Sequence, residues 1–122
     1  MKSFTRSLLF ALAFATGAWV PVQAQTLDQA VAAFQRADYK TAFAGFKRLA
    51  DQGNPKAQSY LGSMFTDGKG VPRNDQSAYF WFLLSSAQGN STAAKNRDIV
   101  EKNLTPQQRA NAQATARVWQ PR

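Results

Sequence analysis

Residues 54–89 read NPKAQSYLGSMFTDGKGVPRNDQSAYFWFLLSSAQG, and the fold of the chain can be worked out from this stretch. It holds two segments whose apolar residues recur every three or four positions, which is the pattern of an amphipathic helix. Asn54 before Pro55 is a typical helix start, because asparagine caps free N–H groups and proline has no N–H to leave unpaired. Glycines and a proline punctuate residues 68–72, which favours a loop. The stretch therefore predicts a helical hairpin.

Parts of this hairpin recur at an offset of 36 residues. Gln52-Gly53-Asn54 returns as Gln88-Gly89-Asn90. The other matched pairs are Ala42 with Ala78, Phe46 with Phe82, Ala57 with Ala93 and, as a similar residue, Phe43 with Tyr79. A period of this length is typical of helical repeats, in which each hairpin buries its apolar face against the next. We therefore expect an all-α fold of antiparallel helical hairpins stacked as a short right-handed solenoid, with about five helices after residue 24.

Capping residues predict where the helices begin. Thr26 with Gln29, and Thr105 with Gln108, have the spacing of a capping box, in which each residue's side chain bonds the other's backbone N–H. The remaining starts are expected at Asp38, at Asn54, at Asn74 or Asp75, and at Asn90 or Ser91. Gly53 and Gly89 are expected to end helices in the left-handed conformation.

The first 24 residues have the pattern of a secretory signal peptide. Lys2 and Arg6 precede an apolar run, and Val22-Gln23-Ala24 suits a signal peptidase. A retained membrane anchor is disfavoured, since residues 8–20 are only 13, and about 20 are needed to span a bilayer. We expect cleavage between Ala24 and Gln25 and a mature protein in the periplasm.

Several residues of the hairpin resemble a known family, the Sel-1-like repeat, which is related to the tetratricopeptide repeat. They are Leu61-Gly62, Met64-Phe65, DGKGVP at 67–72, Asp75, Ala78, Trp81, Ala87 and Gly89-Asn90. The resemblance covers about residues 38–103. It implies a protein-interaction module without catalysis, an adaptor or scaffold of the bacterial envelope, in which the first helix of each hairpin lines a concave face.

The repeat pattern divides the chain into four segments. Residues 1–24 are the expected signal peptide, 25–53 an N-terminal helix and partial repeat, 54–89 the full repeat, and 90–122 a partial repeat with a C-terminal capping helix. The last unit is incomplete because Arg97 and Asp98 stand where the full repeat has Leu61 and Gly62. Gly62 is expected to admit a neighbouring helix, and Val71 to fill the gap between the two helices.

The composition excludes several kinds of chemistry. The chain has no His and no Cys, so a Ser-His-Asp or Cys-His nucleophile, a Cys/His zinc site and a disulfide are all excluded. Lys69 between two glycines does not match a phosphate-binding loop, and Asp67 and Asp75 are better explained as a turn residue and a helix cap. We therefore predict no catalytic residue, no cofactor and no metal.

Two further features have both structural and functional interpretations. Tyr79, Phe80, Trp81 and Phe82 occupy most of the circumference of one helix, so helix packing is favoured over a stacking platform, with Phe80 expected to face outward. Arg97 interrupts an apolar stripe. We favour a partly buried ion pair with a carboxylate of the adjoining helix over an anion contact.

The expected partner site lies on the concave face. Positions off the buried stripe of residues 54–66 are Lys56, Ser59, Ser63 and Thr66, and the repeat offset adds Thr92, Lys95, Ile99 and Lys102. A groove edged by Lys56, Lys95 and Lys102 suits an acidic peptide or a C-terminal carboxylate. An ordinary solvated face is the alternative.

The positive charge of the chain is unevenly distributed. The formal net charge is +8, two units of which lie in residues 1–24, and residues 25–101 hold nine basic and seven acidic residues. The remainder comes from Lys102, Arg109, Arg117 and Arg122. This density is too low for nucleic acid to be the default partner. We expect another protein or peptide. Binding of a polyanion or an anionic envelope component is the alternative, and the oligomeric state stays open.

Overall fold

The computed structural model describes residues 25–122, and they form six α-helices. These are α1 (Leu27–Gln35), α2 (Tyr39–Asp51), α3 (Pro55–Asp67), α4 (Asp75–Ala87), α5 (Ser91–Glu101) and α6 (Pro106–Val118). The all-α prediction is confirmed, with six helices where about five were expected, and residues 25–122 include no strand. The predicted signal peptide and its cleavage after Ala24 concern residues 1–24, which lie outside the described part.

Each helix begins at the capping residue that the sequence indicates. The side chain of each N-cap accepts a hydrogen bond from a backbone N–H three residues later, and these N-caps are Thr26, Asp38, Asn54, Asn74, Asn90 and Thr105. Both capping boxes are present. For α4 and α5 the sequence offered two candidate caps each, and the cap is the asparagine in both helices, Asn74 and Asn90. A cap of this kind stabilises a helix by about 1 kcal/mol.

The helices pack as stacked hairpins in two rows. Each of the first four helices packs against the next along the chain, and α6 packs back onto α4. Within one row α3 contacts α5, while the ring of Phe34 in α1 meets that of Tyr60 in α3 at 5.6 Å. In the other row, the Nζ of Lys47 in α2 lies 5.7 Å from the ring centre of Trp81 in α4. Odd-numbered helices therefore form one row and even-numbered helices the other.

Helix α4 belongs to both parts of the hydrophobic core. Trp81 and Leu84 join a cluster with α1, α2 and α3, whereas Tyr79 and Phe82 join a second cluster with α5 and α6. Both faces of α4 are covered because aromatic residues follow one another around its circumference. Phe80 is the least buried of the four aromatics and still packs against both clusters.

Two glycines permit close approaches that a side chain would prevent. A Cβ at Gly62 would lie 2.5 Å from Cε1 of Phe82, so α3 and α4 touch at this point. A Cβ at Gly70 would lie 2.6 Å from the carbonyl oxygen of Tyr39, and Gly70 has a φ of +72°. The loop between α3 and α4 is thereby held against the start of α2. Val71 packs against the first core cluster, as its predicted role as a plug requires.

The contact between Gly62 and Phe82 predicts the effect of a larger residue. We expect Gly62→Leu to lower the free energy of unfolding by about 1–3 kcal/mol or more, because the core has no room for the added atoms. Urea denaturation measures this loss. In the double variant with Phe82→Ala, the missing ring makes room for the leucine, so the combined loss should be smaller than the sum of the two single losses. Additive losses, or an unchanged stability of Gly62→Leu, would contradict the packing described.

Candidate functional site

An open groove lies between α3 and α5. Both helices are antiparallel to α4, so they run parallel and their N-termini lie at the same end. A cavity of about 390 Å³ at that end is lined by Pro55, Lys56, Ser59, Tyr60, Ser63, Asn90 and Thr92. A second cavity, of about 180 Å³, is lined by Ser63, Thr66, Asp67, Phe82, Asn96, Ile99 and Val100. Because Ser63 borders both, we treat them as one feature, the α3/α5 groove.

Four of the predicted partner-binding residues line this groove. Lys56, Ser59, Ser63 and Thr66 face it from α3. Lys56 is exposed, whereas Ser59 is 8% exposed and therefore mostly enclosed. The structure brings these four side chains to one surface, and their role in binding stays a prediction.

Of the four predicted positions on α5, Thr92 and Ile99 line the groove, whereas Lys95 and Lys102 line neither cavity. From α5, the groove is lined by Thr92, Asn96 and Ile99, which follow the three-to-four spacing of one helix face. Lys95 and Lys102 are exposed beside this face. The groove therefore has one lysine among its lining residues instead of the three expected along its edge.

Sequence reasoning missed Tyr60 as a wall of the groove. Its ring stacks on that of Phe46 at 4.6 Å and is half-buried. The available signal was its position, since Tyr60 follows Lys56 by four residues and precedes Ser63 by three, which places all three on one helix face. Ile99, at 63% exposure, supplies an apolar side chain at the opposite wall.

Buried polar contacts fix the N-terminal end of α3. Gln58 is fully buried, and its Nε2 donates to the carbonyl oxygen of Ala50 at 3.1 Å. Gln88 donates through Nε2 to Oε1 of Gln58 at 2.8 Å. The hydroxyl of Ser85 donates to the carbonyl of Pro55 at 2.6 Å. The first turns of α3 are thus tied to the C-terminal ends of both α2 and α4, which sets one wall of the groove.

The predicted partner of Arg97 is wrong. Arg97 pairs at 3.0 Å with Asp98, its neighbour on α5, and not with a carboxylate of the adjoining helix. Toward α4, its Nη1 donates at 3.2 Å to the hydroxyl of Ser86. The residue does bridge the two helices, but α4 offers a hydroxyl at this level where a carboxylate was expected.

The charged residues of the loop between α3 and α4 have structural partners. The Nζ of Lys69 lies 5.5 Å from the ring centre of Phe34 and 5.4 Å from that of Tyr39, a cation–π arrangement that fits a structural turn. Asp75 receives two hydrogen bonds from Arg73 and does not cap α4, which corrects its predicted role. The hydrogen bond to Asp75 and the charge of that carboxylate raise the pKa of Arg73.

A third cavity lies at the opposite row of helices. It measures about 330 Å³ and is lined by Asn74, Gln76, Ser77, Phe80, Trp81, Ala112 and Thr115. Phe80, expected to face outward, is half-buried at this cavity between α4 and α6.

Within residues 25–122, no group of three or more acidic side chains is placed to hold a metal ion. None of the helices described there is long and apolar enough to cross a membrane.

The stacked hairpins and the groove between their first helices define a helical-repeat protein. Within this class, residues 55–90 match the family model of the Sel1 repeat. These residues therefore form a Sel1 repeat, and the resemblance seen in the sequence is confirmed for them. Sel1 repeats are modules that mediate protein–protein interactions and are not catalytic. Neither the curated proteins nor the solved structures give a match to this chain.

The polar contacts beneath the groove lead to a test of its support. We expect Gln58→Leu to lower the free energy of unfolding by about 1–3 kcal/mol, because it removes two hydrogen bonds of a buried amide, the one to the carbonyl of Ala50 and the one from Gln88. Gln88→Ala should cost less, since Gln88 is exposed and water can replace its amide. Chemical denaturation of both variants measures the difference. Gln52→Leu, at the exposed repeat equivalent of Gln88, is the matched control. Equal losses at 52 and 58 would show that the buried contacts do not support α3.

Proposed function

We propose that this chain binds a peptide segment of another protein in the α3/α5 groove and acts as an adaptor or scaffold without catalysis. The observation that carries the proposal is the groove itself, an open channel between the first helices of two successive hairpins. The match of residues 55–90 to the Sel1 repeat, which generally mediates protein–protein interaction, supports this use. Its alternating apolar and polar walls favour a peptide over a small rigid ligand.

The groove offers both apolar contact and hydrogen bonding. Tyr60 and Ile99 present apolar surface, while Ser63, Thr66 and Asn96 present hydroxyl and amide groups. Within residues 25–122, the side chains of Ser63 and Asn96 make no hydrogen bond, so both can bond to a peptide backbone. Thr66 already donates to the carbonyl of Gly62 at 3.0 Å and keeps acceptor capacity. We therefore expect apolar contact and hydrogen bonds to contribute most of the binding free energy, with a smaller contribution from charge.

The charges of the described residues favour peptide recognition over general polyanion binding. Five arginine or lysine side chains form ion pairs with carboxylates within residues 25–122, namely Arg36, Lys47, Arg73, Arg97 and Arg109. Their charge is therefore partly balanced, which weakens the attraction of the surface for a polyanion. A protein partner should bind with modest salt dependence, whereas a polyanion should lose affinity steeply with salt.

Blocking the groove tests the proposed function. A photocrosslinking amino acid at position 63 should give a partner adduct in intact cells, and the same group at position 114 on α6 should not. For the partner so identified, Ser63→Trp should weaken binding at least about tenfold, since the indole fills the junction of the two cavities. Ala114→Trp, at an exposed site outside the groove, is the matched control. An unchanged Kd for Ser63→Trp, measured by calorimetry, would exclude the groove as the binding site.

We further propose that the protein is exported to the periplasm after cleavage between Ala24 and Gln25. The proposal rests on the basic, apolar and small-residue pattern of the first 24 residues. Mass spectrometry of the protein from the periplasmic fraction should find Gln25 at its N-terminus. Ala24→Leu, which places a bulky side chain at the cleavage position, should cause the uncleaved form to accumulate. Uncleaved wild-type protein found only in the cytoplasm would contradict export.

A further inference from the structure

We propose that the N-terminal end of the α3/α5 groove binds the C-terminal carboxylate of the partner chain. This inference rests on the proposed function, because it names the chemical group that the groove would hold. The recognising groups are the free backbone N–H groups in the first turns of α3 and α5, the ammonium of Lys56 and the hydroxyl of Ser59. Three different kinds of donor therefore meet at one cavity.

The two helix N-termini lie together at this cavity. Pro55 and Lys56 line it from the first turn of α3, and Asn90 and Thr92 line it from the start of α5. Each helix carries a partial positive charge at its N-terminus, so parallel helices add their fields here. The caps Asn54 and Asn90 bond the N–H groups of Ala57 and Ala93. The free N–H groups that remain are that of Lys56 in α3, since Pro55 has none, and those of Ser91 and Thr92 in α5.

Ser59 is the independent observation that points to a ligand. It is 8% exposed, it lines the cavity, and its hydroxyl has no hydrogen bond among residues 25–122. The hydroxyl itself is open to the cavity, and a hydroxyl without a protein partner there is a donor available to whatever fills the cavity. Lys56 is exposed beside it and belongs to none of the ion pairs formed within the described residues. Both side chains are thus free to meet an anion.

The charge at the other end of the groove favours a C-terminal carboxylate over a run of acidic side chains. Asp67, exposed and at the last turn of α3, lines the second cavity, where the negative ends of both helix dipoles lie. The groove is therefore positive at one end and negative at the other. A peptide with several acidic side chains would place some of them near Asp67, whereas a peptide with one carboxylate at its end avoids this repulsion.

The test uses small peptides of defined ends with the ¹⁵N-labelled chain. The first probe is an N-acetylated alanine peptide with a free C-terminal carboxylate, and the second is its C-terminal amide. The third is an amidated alanine peptide with one internal aspartate. We expect the free carboxylate to shift the amide signals of Lys56, Ser91 and Thr92 in a saturable way, and the amide to leave them in place. Equal shifts with the amide, or no saturable shift with the free carboxylate, would overturn the proposal. Binding of the aspartate peptide as tight as that of the free carboxylate would assign the site to acidic side chains and would overturn it too.

Single substitutions test the donor groups. Ser59→Ala should weaken binding of the free-carboxylate peptide about tenfold, since it removes a hydrogen bond to a charged group. Lys56→Gln should weaken it about threefold, as an exposed charge pair does. Lys95→Gln, at an exposed lysine beside the groove, is the matched control and should leave the affinity unchanged. Because the hydroxyl of Ser59 bonds nothing in the protein, Ser59→Ala should unfold at the same temperature as the wild type, which separates loss of a ligand contact from loss of the fold. Unchanged affinity in both Ser59→Ala and Lys56→Gln would overturn the proposal.

These outcomes separate the two proposals. If carboxylate and amide peptides bind the groove equally well, the carboxylate inference fails and peptide binding stands. If the crosslinked partner binds Ser63→Trp as tightly as it binds the wild type, peptide binding in this groove fails as well.

Discussion

The ring of Phe82 lies directly against the backbone at Gly62, and the arrangement of the other helices depends on this contact. Since no side chain separates them, α3 and α4 approach closely, and α4 can bury its aromatic residues on both sides. Phe82 then continues into the second core cluster with Val100 and Leu104. The same ring therefore sets how α3 packs and where α5 can lie. Because α5 is placed against α4, its distance from α3 follows, and that distance creates the groove.

The polar contacts under the groove complete this placement. A fully buried amide such as that of Gln58 is costly unless its hydrogen bonds are made. Here it bonds the last turn of α2 and receives a bond from the C-cap of α4. These directed bonds fix the rotation of α3, which apolar packing alone leaves less well defined. The side chains of Lys56 and Ser59 face the groove as a consequence of that rotation.

Features governed by neighbouring residues could be predicted from the sequence, and features governed by contacts between helices only in part. The caps and the left-handed Gly53 and Gly89 depend on a few adjacent positions, so their predictions are confirmed. The edge of the groove depends on how far α5 is rotated about its axis, which the repeat offset does not fix. Lys95 and Lys102 were therefore placed on the groove although they lie beside it. The partner of Arg97 was wrong for a related reason, since a sequence does not show which side chain of α4 stands opposite.

Positions 60 and 96 are equivalent in the repeat but hold different residues. This difference explains why the space between α1 and α3 is filled while a groove remains between α3 and α5. Tyr60 in α3 fills the space beside α1, where its ring meets those of Phe34 and Phe46. After the repeat offset of 36 residues, the equivalent position in α5 is Asn96. Its shorter, polar side chain does not fill the corresponding space beside α3, and Asn96 instead lines a cavity there. An aromatic residue at this position would add apolar packing between α3 and α5 and would close the groove. The departure of the last unit from the repeat pattern thus leaves a packing space unfilled, and this unfilled space is the groove in which peptide binding is proposed.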